Sequence, residues 1–408
     1  RKYEMRKLAF VLCILLVITN LIMAQNHDLQ QIANTIGEKY APDKRVAVYD
    51  VKVTQHSYAI ILSGETSEVA AYNEVLSHMK SYTSRIEDNI NILPDKDLGA
   101  ETRGIIYNST GNVYSKNAHS AELVTQVLLG MPVKILDQKG GWRRIQMPDS
   151  YIGWINGSVE PVTEKELQEY LQKSKIVITS HSTSSYSRAK TNSETVSDLV
   201  AGDILVLLGT KGKYYKVVYP DGRTAYVNKS DAKEESRWLT DIELTHESII
   251  STAKQMMGIP YVWGGTSTKG LDCSGFTKTV YFLNGIILAR DASQQVKYGE
   301  LVDQEGSFDK LQPGDLVFFG TKATPENPQE KVVHVGISLG NNKFIHASDY
   351  IRINSFDPSD PLYDEFNTKR YLRTKRVIGS VNTPGIQEIY HSTLYQRKEN
   401  DTKQTSIH

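Results

Sequence analysis

Apolar and polar positions change their spacing several times along the chain, and each change marks a different kind of element. Asp28–Tyr40 is helical in period, Arg45–Leu62 alternates as two strands broken near Thr54–His56, and Val69–Thr83 is helical again. Residues 25–100 therefore read as a small α/β unit, with no chemistry attached to it. From residue 104 to residue 232 short alternating runs take over. They are separated by turn residues such as Lys211-Gly212-Lys213 and Pro220-Asp221-Gly222. Past residue 245 the period becomes helical over Glu247–Met257. A glycine-rich stretch and an apolar run, Phe276–Leu283, then lead to three further strands: Leu316–Phe319, Val332–Leu339 and Lys343–Ala347.

The middle region repeats itself. Glu122–Ile155 aligns without gaps onto Glu194–Val227, with Gly130 on Gly202, Trp142 on Tyr214, Pro148 on Pro220, Asp149 on Asp221 and Trp154 on Tyr226. In each copy strand, turn, strand, turn and strand follow one another, as suits a small β-barrel. Gly141-Trp142-Arg143-Arg144-Ile145 and Gly153-Trp154-Ile155 resemble the paired strands of bacterial SH3-like domains. The copies are expected over 104–163 and 174–232.

Composition narrows the function. The 408 residues are 39% apolar, enough for several cores, and 47 basic residues balance 47 acidic ones. With no net field, neither nucleic acid nor an anionic membrane is an expected partner. Met5-Arg6-Lys7, the apolar run Leu8–Ile18 and Leu21-Ile22-Met23-Ala24 have the layout of a secretory signal peptide cleaved after Ala24. The competing reading is an N-terminal anchor. Export to the periplasm or beyond is expected, and past residue 25 nothing approaches the ~18 apolar residues of a membrane span. Of the two cysteines, removal of the signal leaves only Cys273. A lone cysteine is ordinarily a small buried hydrophobe.

Its neighbours point elsewhere. Cys273 falls at the start of the helix that begins near Phe276, behind Gly264-Gly265 and Gly270. A thiol there faces unpaired backbone N–H groups and the positive helix end, which is expected to lower its pKa toward neutrality. A thiol nucleophile needs a base and the base an orienting group. The two downstream strands carry His334 and His346. If their loop is residues 340–342, Leu339 pairs with Lys343, Gly336 pairs with His346, and the two histidines share a face. A two-residue Asn341-Asn342 loop puts them on opposite faces. No ligand cluster accompanies the histidines, so neither a metal nor a cofactor is expected.

The stretches Tyr261–Gly265, Gly270–Gly275, Pro313–Phe319, His334–Ile337 and His346–Ser348 follow the order and spacing of a known family. By them, residues 245–382 resemble the NlpC/P60 cell-wall cysteine peptidases. The resemblance implies an α+β protein. A papain-like NlpC/P60 catalytic domain would be preceded by two small SH3-like β-barrels and the small N-terminal α/β unit, and followed by a polar tail over 383–408. It implies Cys273 as nucleophile, His334 as base and His346 as the group that orients it.

Two SH3-like domains before such a domain further resemble γ-D-glutamyl-L-diamino acid peptidases, which act on murein peptides with a free N-terminal L-Ala. In that group Asp272 and Ser293 correspond to residues that bind the free amine. Tyr151 and Glu122 correspond to residues from the first SH3-like domain that close the pocket, and Tyr261 and Trp263 complete the candidate substrate-binding set. Glu122 also has a repeat twin in Glu194, so a structural role for it stays open. An endopeptidase acting on polymeric wall and a non-catalytic peptidoglycan-binding protein are the competing functions. A monomer is expected.

Overall fold

The computed structural model describes residues 28–56 and 59–397, which form two compact units, 1–99 and 100–408. The expected signal peptide, residues 1–24, lies outside the described residues, as does the end of the expected tail. Among the described residues no helix is long and apolar enough to cross a membrane.

In the first unit, helix α1 (residues 28–40) precedes strands β1 (Tyr49–His56) and β2 (Ala59–Thr66), helix α2 (Val69–Tyr82) and strand β3 (Ile86–Ile92). β1 and β2 form a hairpin, and α2 returns the chain so that β3 lies parallel to β2. Leu29, Ala33 and Ile36 of α1 and Ala71, Val75 and Met79 of α2 bury their apolar stripes against Val51, Val53, Ile60 and Leu62. The third strand escapes a period-2 reading because Glu87, Asp88 and Asn89 are exposed in succession and none of its residues is fully buried.

The second unit opens with the two repeats. The first comprises β4 (Arg103–Ile106), β5 (Thr110–Tyr114), β6 (Leu123–Leu128), β7 (Pro132–Lys139), β8 (Trp142–Gln146), β9 (Ile152–Asn156) and β10 (Val159–Val162). The second comprises β11 (Lys175–Ile178), β12 (Ser182–Tyr186), β13 (Thr195–Val200), β14 (Ile204–Lys211), β15 (Tyr214–Val218), β16 (Thr224–Asn228) and β17 (Ala232–Glu234). Strand order is 10-4-7-8-9-5-6 in one and, read from the same end, 17-11-14-15-16-12-13 in the other. The two are the same topology, and they bulge at the same places: Ile135/Asp137 matches Leu207/Gly209, and Val113/Tyr114 matches Ser185/Tyr186. Helix α3 (Glu164–Gln172), capped by a Thr163–Glu166 capping box, joins them.

Helices α4 (Glu235–Asp241) and α5 (His246–Gln255) lead to the last domain. There the short hairpin β18 (Thr266–Ser267) and β19 (Gly270–Leu271) precedes helix α6 (Cys273–Leu283). β20 (Ile286–Leu288), helix α7 (Ala292–Gln295), β21 (Glu300–Asp303), β22 (Leu316–Thr321), β23 (Lys331–Gly340), β24 (Lys343–Ser348), β25 (Tyr350–Ser355), helix α8 (Glu365–Lys369) and β26 (Tyr371–Arg376) follow. Six of these strands form one antiparallel sheet, ordered 21-26-22-23-24-25. Phe276, Val280 and Tyr281 of α6 pack against Phe318, Val335, Ile337 and Ile345 of that sheet. Each such side chain contributes about 1.5–3 kcal/mol by leaving water.

Two features differ from the sequence reading. The loop between β23 and β24 is the two-residue Asn341–Asn342 turn, both residues at positive φ, and Gly340 rather than Leu339 pairs with Lys343. Parity survives because a bulge at Ser338/Gly340 absorbs one residue, so that Ser338 meets Phe344 and Ile337 meets Ile345. The polar run after Thr383 is also less of a tail than its composition predicts. β27 (Ile386–Glu388) pairs with β20, and Ile386, Ile389 and Tyr395 are buried.

Candidate active site

Cys273 is the first helical residue of α6 and is 8% exposed. Asp272 caps the helix, its Oδ1 accepting from Gly275 N at 2.7 Å. The thiol faces the backbone N–H groups of Val335, from β23, and of Ser274. The helix that carries Cys273 and the strand that carries His334 thus meet at Val335, the residue next to His334.

His334 and His346 lie on the same face of the sheet, as the bulged register requires. Ring nitrogens His334 Nε2 and His346 Nδ1 are 2.7 Å apart, and His346 Nε2 lies 2.9 Å from Asn354 Oδ1 on β25. The chain of polar contacts therefore runs one residue further than the sequence reading carried it. Asn354 could have been found from the register: it pairs with Phe344, two residues before His346 on the adjacent strand. Both rings are buried. Burial, with smaller repulsions from Arg370 and Arg352, lowers the pKa of His346 to about 4. Burial followed by the neighbouring His346 lowers His334 well below the usual imidazole range.

The thiol departs from expectation. Burial, reinforced by the charge of Asp272, pushes Cys273 up to about 12, and the N–H groups of Val335 and Ser274 offset only part of this. Burial thus favours the neutral form of both the Cys273 thiol and the His334 ring.

Asp272 is fully engaged. Arg290, itself 2% exposed, reaches Oδ2 at 2.5 Å and Oδ1 at 3.2 Å, and Gly264 N donates to Oδ2 at 3.0 Å. Ser274 Oγ adds a longer contact at 3.3 Å. A carboxylate offers about four lone-pair positions, so an incoming ammonium would have to displace one of these donors. Arg290 is a structural partner that the sequence reading missed.

The first repeat lies along the nucleophile loop. Thr266 N and Ser267 Oγ donate to Gln126 Oε1 at 3.1 and 3.0 Å, and Thr266 Oγ1 donates to Gln126 O at 2.9 Å. Trp263, 64% exposed, donates its indole N–H to Glu122 Oε1 at 2.9 Å. Tyr151, buried on the loop before β9, donates from its hydroxyl to Asp291 Oδ2 at 3.2 Å. Gly264 needs to be glycine, because its φ is +77° and a Cβ there would sit 2.4 Å from Leu123 O. Tyr261 is half-buried, its phenol pushed upward by burial and by the nearby Cys273 thiol. Ser293 is half-buried on α7, two residues beyond Asp291. Glu122, Tyr151, Asp272, Tyr261 and Trp263 are thus tied to the nucleophile loop or its neighbours. Asp291 joins them as an unforeseen carboxylate.

Comparison with known proteins bears on both regions. Residues 258–376 match the NlpC/P60 family, and residues 113–158 match the bacterial dipeptidyl-peptidase SH3 domain. A γ-D-glutamyl-L-lysine dipeptidyl-peptidase of Bacillus cereus is 32% identical over 55% of this chain and 67% of its own length. A protein of the same description from Bacillus subtilis is 32% identical over 55% of this chain and 71% of its own. The crystal structure of an NlpC/P60 family protein from Bacillus cereus superposes with a TM-score of 0.56 at 25% identity, covering 67% of this chain and 99% of that one. The chain belongs to the NlpC/P60 family and is a cysteine peptidase of the type that carries a bacterial dipeptidyl-peptidase SH3 domain.

Proposed function

We propose that the chain hydrolyses the bond between γ-D-Glu and a diamino acid in murein peptides that begin with a free L-Ala, as an exported enzyme. The observation that carries the reading is the first SH3-like domain standing over the nucleophile loop, through Trp263–Glu122 and Tyr151–Asp291. A wall at that end suits a short peptide end better than a continuous polymer. The names of the relatives, γ-D-glutamyl-L-lysine dipeptidyl-peptidases, agree with this substrate class.

In the proposed reaction His334 Nδ1 takes the proton of Cys273 as the sulfur attacks the γ-D-Glu carbonyl carbon. The Cys273 N–H, at the positive end of α6, receives the oxyanion. The C–N bond then breaks, the departing amine takes the proton from His334, and a thioester remains. Water, deprotonated by the same nitrogen, hydrolyses the thioester and restores the thiol. His346 holds the His334 ring in place. The substrate ammonium is received by the hydroxyls of Tyr151 and Ser293 and by the carboxylate of Asp291, with the charge of Asp272 one layer behind.

The test compares kcat/KM for L-Ala-γ-D-Glu-diamino acid and its N-acetylated form, alongside digestion of intact sacculi. A preference of at least tenfold for the free amine is expected, and Tyr151→Phe should reduce it by roughly tenfold, the worth of one hydrogen bond to a charged group. Equal rates on the two peptides, with release from sacculi, would favour the polymer endopeptidase. Retention of activity by Cys273→Ala would end the thiol assignment.

A further inference from the structure

A neutral imidazole carries one proton, and where it sits decides whether the other nitrogen is a base. In the buried His334–His346 pair only two arrangements satisfy the 2.7 Å contact. With both rings protonated at Nε2, His334 donates to His346 and keeps a bare Nδ1, the nitrogen that the proposed reaction uses as base. With both protonated at Nδ1, His346 donates to His334, whose Nδ1 then already carries a proton and cannot accept one from the thiol. Nothing within the pair selects between them.

Asn354 does. Its Nδ2 donates to Leu362 O at 3.2 Å, which fixes the amide orientation and turns Oδ1 toward His346 Nε2 at 2.9 Å. An amide oxygen only accepts, so the proton of His346 must sit on Nε2 and its Nδ1 must be bare. We propose that Asn354 is a positioning residue that, through His346, sets the productive tautomer of His334. The relay has no charge of its own. When His334 takes the thiol proton, both its nitrogens become donors and no proton need move beyond it.

Other polar influences on His346 do not choose a nitrogen. Asp364 ahead of α8, Arg352 on β25 and Arg370 after α8 act on it at longer range and in opposing directions. Burial keeps the ring neutral near pH 7, the condition for a tautomer choice to exist.

The proposal rests on His334 as the base, and the experiment separates the two ideas. Asn354→Leu removes both amide contacts. Asn354→Asp loses the donation to Leu362 but keeps an acceptor facing His346. Each is measured in the full chain for kcat, KM and pH profile, beside Cys273→Ala and His334→Gln as controls for the parent reading. Nitrogen chemical shifts of 15N-histidine-labelled protein report the tautomers directly.

Wild type should show Nε2–H on both rings. Asn354→Leu should lose roughly 10- to 100-fold in kcat, with KM changed less than about twofold, because its productive tautomer leaves a buried N–H unpaired. Asn354→Asp should stay within about fivefold of wild type, with the acid limb moved to higher pH as the carboxylate favours protonated imidazole. Equal losses in the two variants would assign Asn354 a role through Leu362 only and overturn the proposal. So would an Nδ1–H tautomer in wild type, which needs no variant to fold. Activity surviving in His334→Gln would instead sink the parent reading.

Discussion

Lowering the pH should unfold the second unit through its own histidines. His346 has an ordinary pKa of 6.5 and a folded value of about 4. The unfolded chain therefore takes up the proton first as pH falls. The contribution of the group to stability is fully present above pH 6.5, declines as pH falls below it, and is lost by the folded value. Over about 2.5 units at 1.36 kcal/mol each, the total is about 3 kcal/mol, of which about 2 kcal/mol is already gone at pH 5. The ring is fully buried, so solvent screening takes little from this. His334, lowered in its turn by burial and by His346, adds in the same direction. The four tryptophans, Trp142, Trp154, Trp238 and Trp263, all lie within residues 100–408, so tryptophan fluorescence reports this unit alone. Urea unfolding at pH 7, 6 and 5 should show a slope reduced by about one proton in His346→Gln relative to wild type. Carboxylates titrate in both proteins and cancel in the comparison. Equal losses of stability between pH 7 and 5 in the two proteins would refute the buried, neutral assignment.

Two further outcomes follow from the same geometry. Iodoacetamide should label Cys273 more slowly at pH 7 than it labels free cysteine, the rate climbing into the alkaline range, since the thiol is held up to about 12; labelling faster than free cysteine would show a resting thiolate. Gly264→Ala should lower the melting temperature of the second unit and reduce kcat/KM by at least roughly tenfold, because backbone on both sides of the 2.4 Å clash must move; an unchanged melting temperature would show that β6 is free to withdraw from the loop.

The placement of Cys273 at a helix start and of His334 and His346 on one sheet face was legible in the sequence because it is built from local signals. A glycine-rich stretch before the apolar run Phe276–Leu283 announces a helix start at Cys273, and Gly340-Asn341-Asn342 between two apolar runs announces a hairpin. What was not legible depended on contacts distant in the chain. The bulge at Ser338/Gly340 is set by how β23 leaves the turn, and it keeps His334 and His346 on one face despite a two-residue loop. Asn354 reaches His346 only through the β24–β25 register. The repeat predicted two equivalent barrels and the strand orders agree, yet self-comparison cannot say which copy meets the nucleophile. Gln126 and Glu122 of the first copy reach Thr266, Ser267 and Trp263, and Tyr151 reaches Asp291, whereas His181 and Asp198 of the second copy reach Thr268 and Lys269 of the same loop.

The pKa of the thiol is where local reasoning went astray, first because the fold buries it and second because of a charge beside it. A helix start lowers a thiol pKa by offering partial positive charge and unpaired N–H groups. Here the residue that caps the helix is itself an anion. Asp272 takes the Gly275 N–H and sets its carboxylate at the positive end of α6, so the field that would stabilise a thiolate is largely spent before it reaches Sγ. Arg290 returns some positive charge, but its two terminal nitrogens point at Asp272 rather than at the sulfur. Burial then decides the balance in favour of the neutral form. On the proposed mechanism a thiol held this way attacks only as fast as His334 can take its proton, so the orientation of that ring controls the rate. An enzyme with a preformed thiolate would tolerate a misplaced second histidine. This one should not, and the loss in His346→Ala should therefore approach that in His334→Gln.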